Sequence, residues 1–172
     1  MAFPRLVEGR AGSPVQVVLY EDLQCKDCAW LRRRLDDRLL PVYGDKVAFE
    51  HREFPLAKHN WAREAATAAR WFGRHSPEAG AAFRRELLAD LQAVTLETLP
   101  DWIVAFADRH GLTAPIAADR EQAAAAVEAD FQQGLQQNVE KTPTMIVGES
   151  VFVEWIVIAE VEAAIEEALA TV

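Results

Sequence analysis

Only two cysteines occur in the 172 residues, and both fall in one motif, Cys25-Lys26-Asp27-Cys28. A bond across two intervening residues closes a tiny loop and removes little entropy from the unfolded chain, so it would be a poor structural staple. The motif is therefore better explained by chemistry, and the fold must be held by an ordinary core. Its flanks say where it sits. Val15-Gln16-Val17-Val18-Leu19 follows Gly12-Ser13-Pro14 and reads as a strand buried on both faces. From Ala29 to Leu40, Trp30, Leu31, Leu35 and Leu39 recur at helical spacing, with Arg32 to Arg34 and Asp36 to Arg38 expected to face water. Pro41 and Gly44 end that helix. Cys25 is thus expected where a buried strand gives way to a helix.

At a helix N-terminus, unsatisfied backbone N–H groups and the positive end of the dipole favour a thiolate. Cys25 is assigned as the attacking thiol, and Cys28, about one turn on and less exposed, as the resolving thiol. Lys26 should favour the Cys25 thiolate and Asp27 disfavour it, so both are candidate tuning residues. The competing readings are half of a zinc site, or two unreactive cysteines. Zinc needs four ligands, and the chain has no second Cys-x-x-Cys. His51, His59, His75 and His110 do not pair at finger spacing. No metal is expected, and no organic cofactor, because a dithiol carries two electrons itself.

Val47 to Phe54 reads as a second strand closed by Pro55. Helical patterns follow over Asn60 to Phe72, Glu78 to Leu91, Asp101 to His110 and Asp119 to Gln137, with Pro77, Pro100 and Pro115 near their starts. Thr144 to Val147 and Val151 to Val153 read as a hairpin around Gly148-Glu149, and Ile158, Val161, Ile165 and Leu169 as a last amphipathic helix. This order predicts an α/β domain spanning 1–172, one sheet with helices on both faces. The block 57–138 is too large for a crossover and is expected as an inserted helical lobe.

Composition narrows the partners. With 18 Lys and Arg against 27 Asp and Glu, the net charge of −9 argues against nucleic acid. Apolar runs such as Val151 to Ala159 fall far below the ~20 residues that span a bilayer. The first ten residues lack the apolar stretch of a signal peptide. The expected location is the cytoplasm, or the periplasm or another extracytoplasmic space if a signal peptide has been removed.

Tyr20-Glu21-Asp22-Leu23-Gln24-Cys25-Lys26-Asp27-Cys28, then Phe54-Pro55-Leu56 with His59 and an alanine-rich helix, then Thr142-Pro143-Thr144 before a strand and Gly148, resembles the DsbA-like thiol:disulfide oxidoreductases. The resemblance runs from about Glu8 over nearly the whole chain. It implies a thioredoxin-like fold with an inserted α-helical lobe, acting on protein or peptide thiols and disulfides and recycled by a redox partner. It also implies that Pro143 is a cis-proline beside the cysteines and that Thr142 offers its backbone to an extended substrate. Only X–Pro bonds adopt cis at modest cost, and free backbone groups there could pair with a peptide strand.

The chain departs from the family pattern at three places. Lys26 stands where the family often has proline, Leu19 where many relatives carry a buried acid, and Lys141 where glycine or valine often precedes Thr-Pro. Oxidase, reductase and isomerase directions all remain open. Glu21 and Asp22 are read as solvated loop-end carboxylates rather than proton relays, and His59 as a capping or packing residue. Trp61, Trp71, Trp102 and Trp155 are read as packing, and Trp30 as a neighbour beneath the dithiol. Two alternatives stand beside the oxidoreductase: a glutathione-linked transferase or isomerase on the same fold, and a non-catalytic module binding through the Pro143 groove.

Overall fold

The computed structural model describes residues 3–172. Strand β2 (Gln16–Glu21) forms the centre of a five-stranded sheet of order β1-β3-β2-β4-β5. It pairs in parallel with β3 (Ala48–Glu53) and antiparallel with β4 (Thr144–Val147). The parallel pair requires a crossover, supplied by α1 (Lys26–Arg34), a π-helical turn over Leu35–Leu39, and α2 (Leu40–Tyr43). The edges are β1 (Val7–Gly9) beside β3 and β5 (Ser150–Val153) beside β4.

Helices α3 (Ala62–His75), α4 (Pro77–Ala89), α5 (Leu99–Arg109) and α6 (Ala117–Gln136) separate β3 from β4, and α7 (Ile158–Ala170) closes the chain. Each expected element is present, with ends shifted by a few residues. Pro77 occupies the first turn of α4, and Ser76 caps it by accepting from the Ala79 N–H; such caps contribute about 1 kcal/mol. Strand β1 was not expected, because three residues containing Glu8 give no apolar alternation to read.

Alternation along β2 divides the interior. Val17 and Leu19 join Leu31, Leu35, Leu39, Phe49, Met145, Val161 and Ile165 in a core between the sheet and helices α1 and α7. Tyr20 faces the other way, toward Phe54 and Val139, with Phe131 of α6 packed against them. A third cluster joins α3, α4 and α5 through Phe72, Phe83, Leu87 and Phe106, and it includes Leu23, Cys25, Cys28 and Ala29. The helical insertion therefore packs directly behind the cysteines.

Two surface expectations are corrected. Arg32 is buried rather than solvated, because Glu8 of β1 and Asp36 one turn later neutralise its guanidinium; Arg33 and Arg34 do face water. Trp155 is 86% exposed instead of packed. Glu154 adopts a left-handed backbone (φ 56°) with its N–H on the Pro143 carbonyl, and the resulting turn buries Ile156 and leaves Trp155 outside. Trp61 and Trp71 are buried as expected, and Trp102 packs against the same cluster.

Candidate active site

The loop between β2 and α1 places both cysteines. The Cys25 N–H bonds the Asp22 carbonyl at 3.0 Å, a turn that lifts the chain off the strand, and the Cys25 carbonyl accepts the Ala29 N–H at 3.1 Å. Cys25 is the N-cap residue of α1, with extended backbone angles (φ −92°, ψ 126°). Its sulfur therefore meets the unsatisfied N–H groups of the first turn.

Both thiols are free. Cys25 is 8% exposed and Cys28 fully buried. The pKa of Cys25 is lowered to about 6, chiefly by a hydrogen bond from the Cys28 thiol; burial opposes this, while the backbone N–H groups of Cys28 and Asp27 and the side chain of Thr142 reinforce it. Cys28 moves the other way, well above the usual thiol range. Burial is the main cause, followed by its bond to Cys25, the Cys25 charge and the nearby Glu21 carboxylate, while the Asp22 N–H, donating to Cys28 Sγ at 3.4 Å, works against them. Two thiols one turn apart are thus split into an acidic, accessible one and a buried, reluctant one.

Thr142 and Pro143 approach from the start of β4, which pairs with the strand that launches Cys25. The Thr142–Pro143 peptide bond is cis. As a thiol, Cys25 donates to the Thr142 carbonyl at 3.4 Å. The Thr142 hydroxyl is buried and bonds no other group in this form, leaving it free to donate to a Cys25 thiolate. An open groove of about 570 Å³ runs past Cys25, walled by Gln24, Leu56, His59 and Thr142. Lys26 and Asp27 line it too, as do Lys58 and the Lys141–Glu154 ion pair, closed at 2.8 Å.

Glu21 and Asp22 are both buried, correcting the solvated reading. Asp22 accepts the Gln24 N–H (2.7 Å) and the Leu56 N–H (2.8 Å), and His59 Nδ1 lies 2.7 Å from its Oδ2. His59 does not cap α3, whose N-cap is Trp61; its largely covered ring hydrogen-bonds Asp22 beside the groove. Glu21 contacts His51 Nδ1 at 2.6 Å and Arg84 of α4 at 3.3 Å, while Arg84 also pairs with Glu53, directly across from Glu21 on β3. Glu21 and Asp22 follow directly on the apolar run Val15 to Leu19, and that position at the strand's end is what makes them read as loop-end carboxylates.

Trp30 does not lie beneath the dithiol. It packs toward the α1–α7 core with Arg34 over its ring, 5.4 Å from the centroid. Among the described residues no cluster of three or more His, Cys, Asp or Glu has a metal-holding arrangement, and no helix is long and apolar enough to cross a membrane.

Comparison with known proteins places this geometry. The sequence matches the family described as Thioredoxin over residues 4–167. A periplasmic thioredoxin-like protein from Salmonella enterica serovar Typhimurium superposes with a TM-score of 0.82 at 22% identity, covering 98% of this chain and 92% of that one. ScsC of Proteus mirabilis gives 0.81 at 17% identity, over 99% of this chain and 75% of its own. The thiol-disulfide exchange protein alpha-DsbA2 of Wolbachia pipientis gives 0.79 at 18% identity, over 95% and 86%. No curated protein sequence matches.

Proposed function

This chain belongs to the thioredoxin family, and from that premise we propose that it is a DsbA-like thiol–disulfide oxidoreductase acting on protein or peptide substrates. The observation that carries the reading is the opposed tuning of the two cysteines, Cys25 acidic at the groove and Cys28 buried with its acidity suppressed. Exchange needs such a pair: an accessible thiolate to form the mixed disulfide, and a second thiol held within reach to resolve it. Cys25 is the nucleophile and Cys28 the resolving group. Lys26 and Asp27 shape the charge around the entering sulfur.

Thr142 and Pro143 form the substrate-binding edge. The Thr142 carbonyl, which receives Cys25 in the free protein, is placed to take a backbone N–H from an extended peptide. Leu56 and, at the start of the insertion 57–138, Lys58 and His59 supply a further wall of the groove. A partner thiol or disulfide resets the dithiol after each turnover. Reduction of insulin, and oxidative refolding of a reduced disulfide protein, test the reading together. Turnover in either assay, lost in Cys25→Ser, supports it. Peptide binding without exchange in either direction would make the chain a binding module instead.

A further inference from the structure

We propose that His59, held by Asp22, is the acid–base group that handles the substrate's proton during exchange at Cys25; the inference rests on the oxidoreductase reading above. Three observations meet at this side chain. His59 walls the same groove as Cys25 and Thr142, and its side chain keeps 19% exposure. Its Nδ1 faces a carboxylate oxygen at 2.7 Å, and that carboxylate is buried and pinned by two backbone N–H groups. Its Nε2 bonds no group among the described residues.

With an acceptor opposite Nδ1, the proton of the neutral ring sits there, and Nε2 presents a lone pair. The ring is oriented as well: the loop carrying it is tied to the cysteine loop by the Gln24 side chain, which accepts from the Trp61 N–H and donates to Asn60.

The chemistry leaves a vacancy for such a group. Cys25 needs no base, because its surroundings already favour the thiolate. The substrate thiol, with an ordinary pKa of ~8.5, is mostly protonated at neutral pH. When the oxidised protein meets a substrate R–SH, the sulfur attacks Cys25 Sγ and the R–S–Sγ bond forms. The Cys25–Cys28 bond breaks, its electron pair leaves on Cys28, and the thiol proton passes to His59 Nε2. Charge balances as an imidazolium and a Cys28 thiolate, the latter accepting the Asp22 N–H. In the reducing direction Cys25 attacks a substrate disulfide, and the imidazolium protonates the departing substrate thiolate. Asp22 is the positioning residue that fixes the ring. The ionisable groups sharing the groove with it are Lys26, Asp27, Lys58, Glu140, Lys141 and Glu154.

The test separates proton transfer from nucleophile acidity. Oxidised wild type, His59→Gln and His59→Ala are mixed with a reduced, uncharged cysteine peptide, and the mixed-disulfide and exchange rates are measured by acid quench. Alkylation of reduced Cys25 by iodoacetamide, which transfers no substrate proton, is measured in parallel. Exchange should fall about 100-fold in both variants, within the usual range for general acid–base catalysis, while alkylation keeps its rate and pH midpoint. Free imidazole should restore exchange in His59→Ala. Equal exchange in wild type and variants overturns the inference. So does a parallel loss of exchange and alkylation, which would place His59's effect on Cys25 itself. Absence of exchange in the wild type would instead overturn the oxidoreductase reading beneath it.

Discussion

His51 Nδ1 lies 2.6 Å from Glu21 Oε2, and both side chains are buried in the sheet that carries the dithiol. Burial disfavours the charged imidazole, but Glu21 and Glu8 outweigh it and raise the His51 pKa above its ordinary 6.5. Burial likewise works against the two carboxylates, yet His51 and the neighbouring arginines bring both below 4.5. The raised histidine stabilises the fold fully below 6.5, and its contribution is lost as pH rises through the folded-state value. The lowered carboxylates contribute fully above 4.5 and lose that contribution on acidification. Thermal stability should therefore fall as pH rises above the ordinary histidine value of 6.5, more steeply than in His51→Gln. Parallel melting profiles for the two proteins over that range would remove the cluster from the pH dependence.

The acidity of Cys25 gives a second expectation. Its largest favourable contribution is the hydrogen bond from Cys28, ahead of the helix-end N–H groups. The midpoint of its alkylation rate should sit near 6 in the wild type. Cys28→Ala should raise that midpoint further than either Lys26→Gln or Asp27→Asn moves it. A larger shift from one of the charged neighbours would mean that their long-range fields, not the sulfur–sulfur contact, set the thiolate.

Division of labour between the cysteines is read by trapping. Cys28→Ser keeps the groove-lining nucleophile but removes the thiol that resolves its adducts, so mixed disulfides with an oxidised peptide should accumulate. Cys25→Ser should accumulate few, because Cys28 is buried and resists ionisation. Non-reducing gels distinguish the cases, and equal trapping by both variants would contradict the assignment.

A fourth expectation concerns the helices behind the site. Gly80 of α4 lies against Gly73 of α3 so closely that an added Cβ would stand 2.8 Å from the Gly73 Cα. Backbone meets backbone there, so no side chain can swing away. Gly80→Ala should lower unfolding free energy by about 1–3 kcal/mol despite alanine's better helix propensity. A denaturation midpoint at or above wild type would show that α3 and α4 separate without cost.

Apolar periodicity makes most of the architecture legible in the sequence. The run Val15 to Leu19 and the alanine-rich face of α3 each point to the element observed, while the cis bond at Thr142-Pro143 is implied by the family resemblance. The misreadings share one cause. Glu21, Asp22 and Arg32 are polar letters with partners in distant segments: His51 and Arg84 for Glu21, His59 for Asp22, and Glu8 for Arg32. A charge buried by pairing across the fold looks, in one dimension, like a charge in solvent. Trp155 fails in the opposite sense, because a single left-handed residue before it decides which side chain turns inward. That His59 lines the same groove as Cys25 was hidden likewise, since its tie to Asp22 spans 37 residues.

The insertion between β3 and β4 also orders events during synthesis. Cys25 and Thr142 touch across 117 positions, so the ribosome delivers the cysteines, the helix whose first turn they occupy and the four helices between β3 and β4 before the Thr142–Pro143 edge exists. Until β4 emerges, one side of β2 is unpaired and the thiol has no wall opposite it. Reactivity in the nascent chain precedes selectivity. The few residues of β4 and the hairpin after it supply the Thr142 wall and the Glu154 side of the groove last, around a sulfur already set in place.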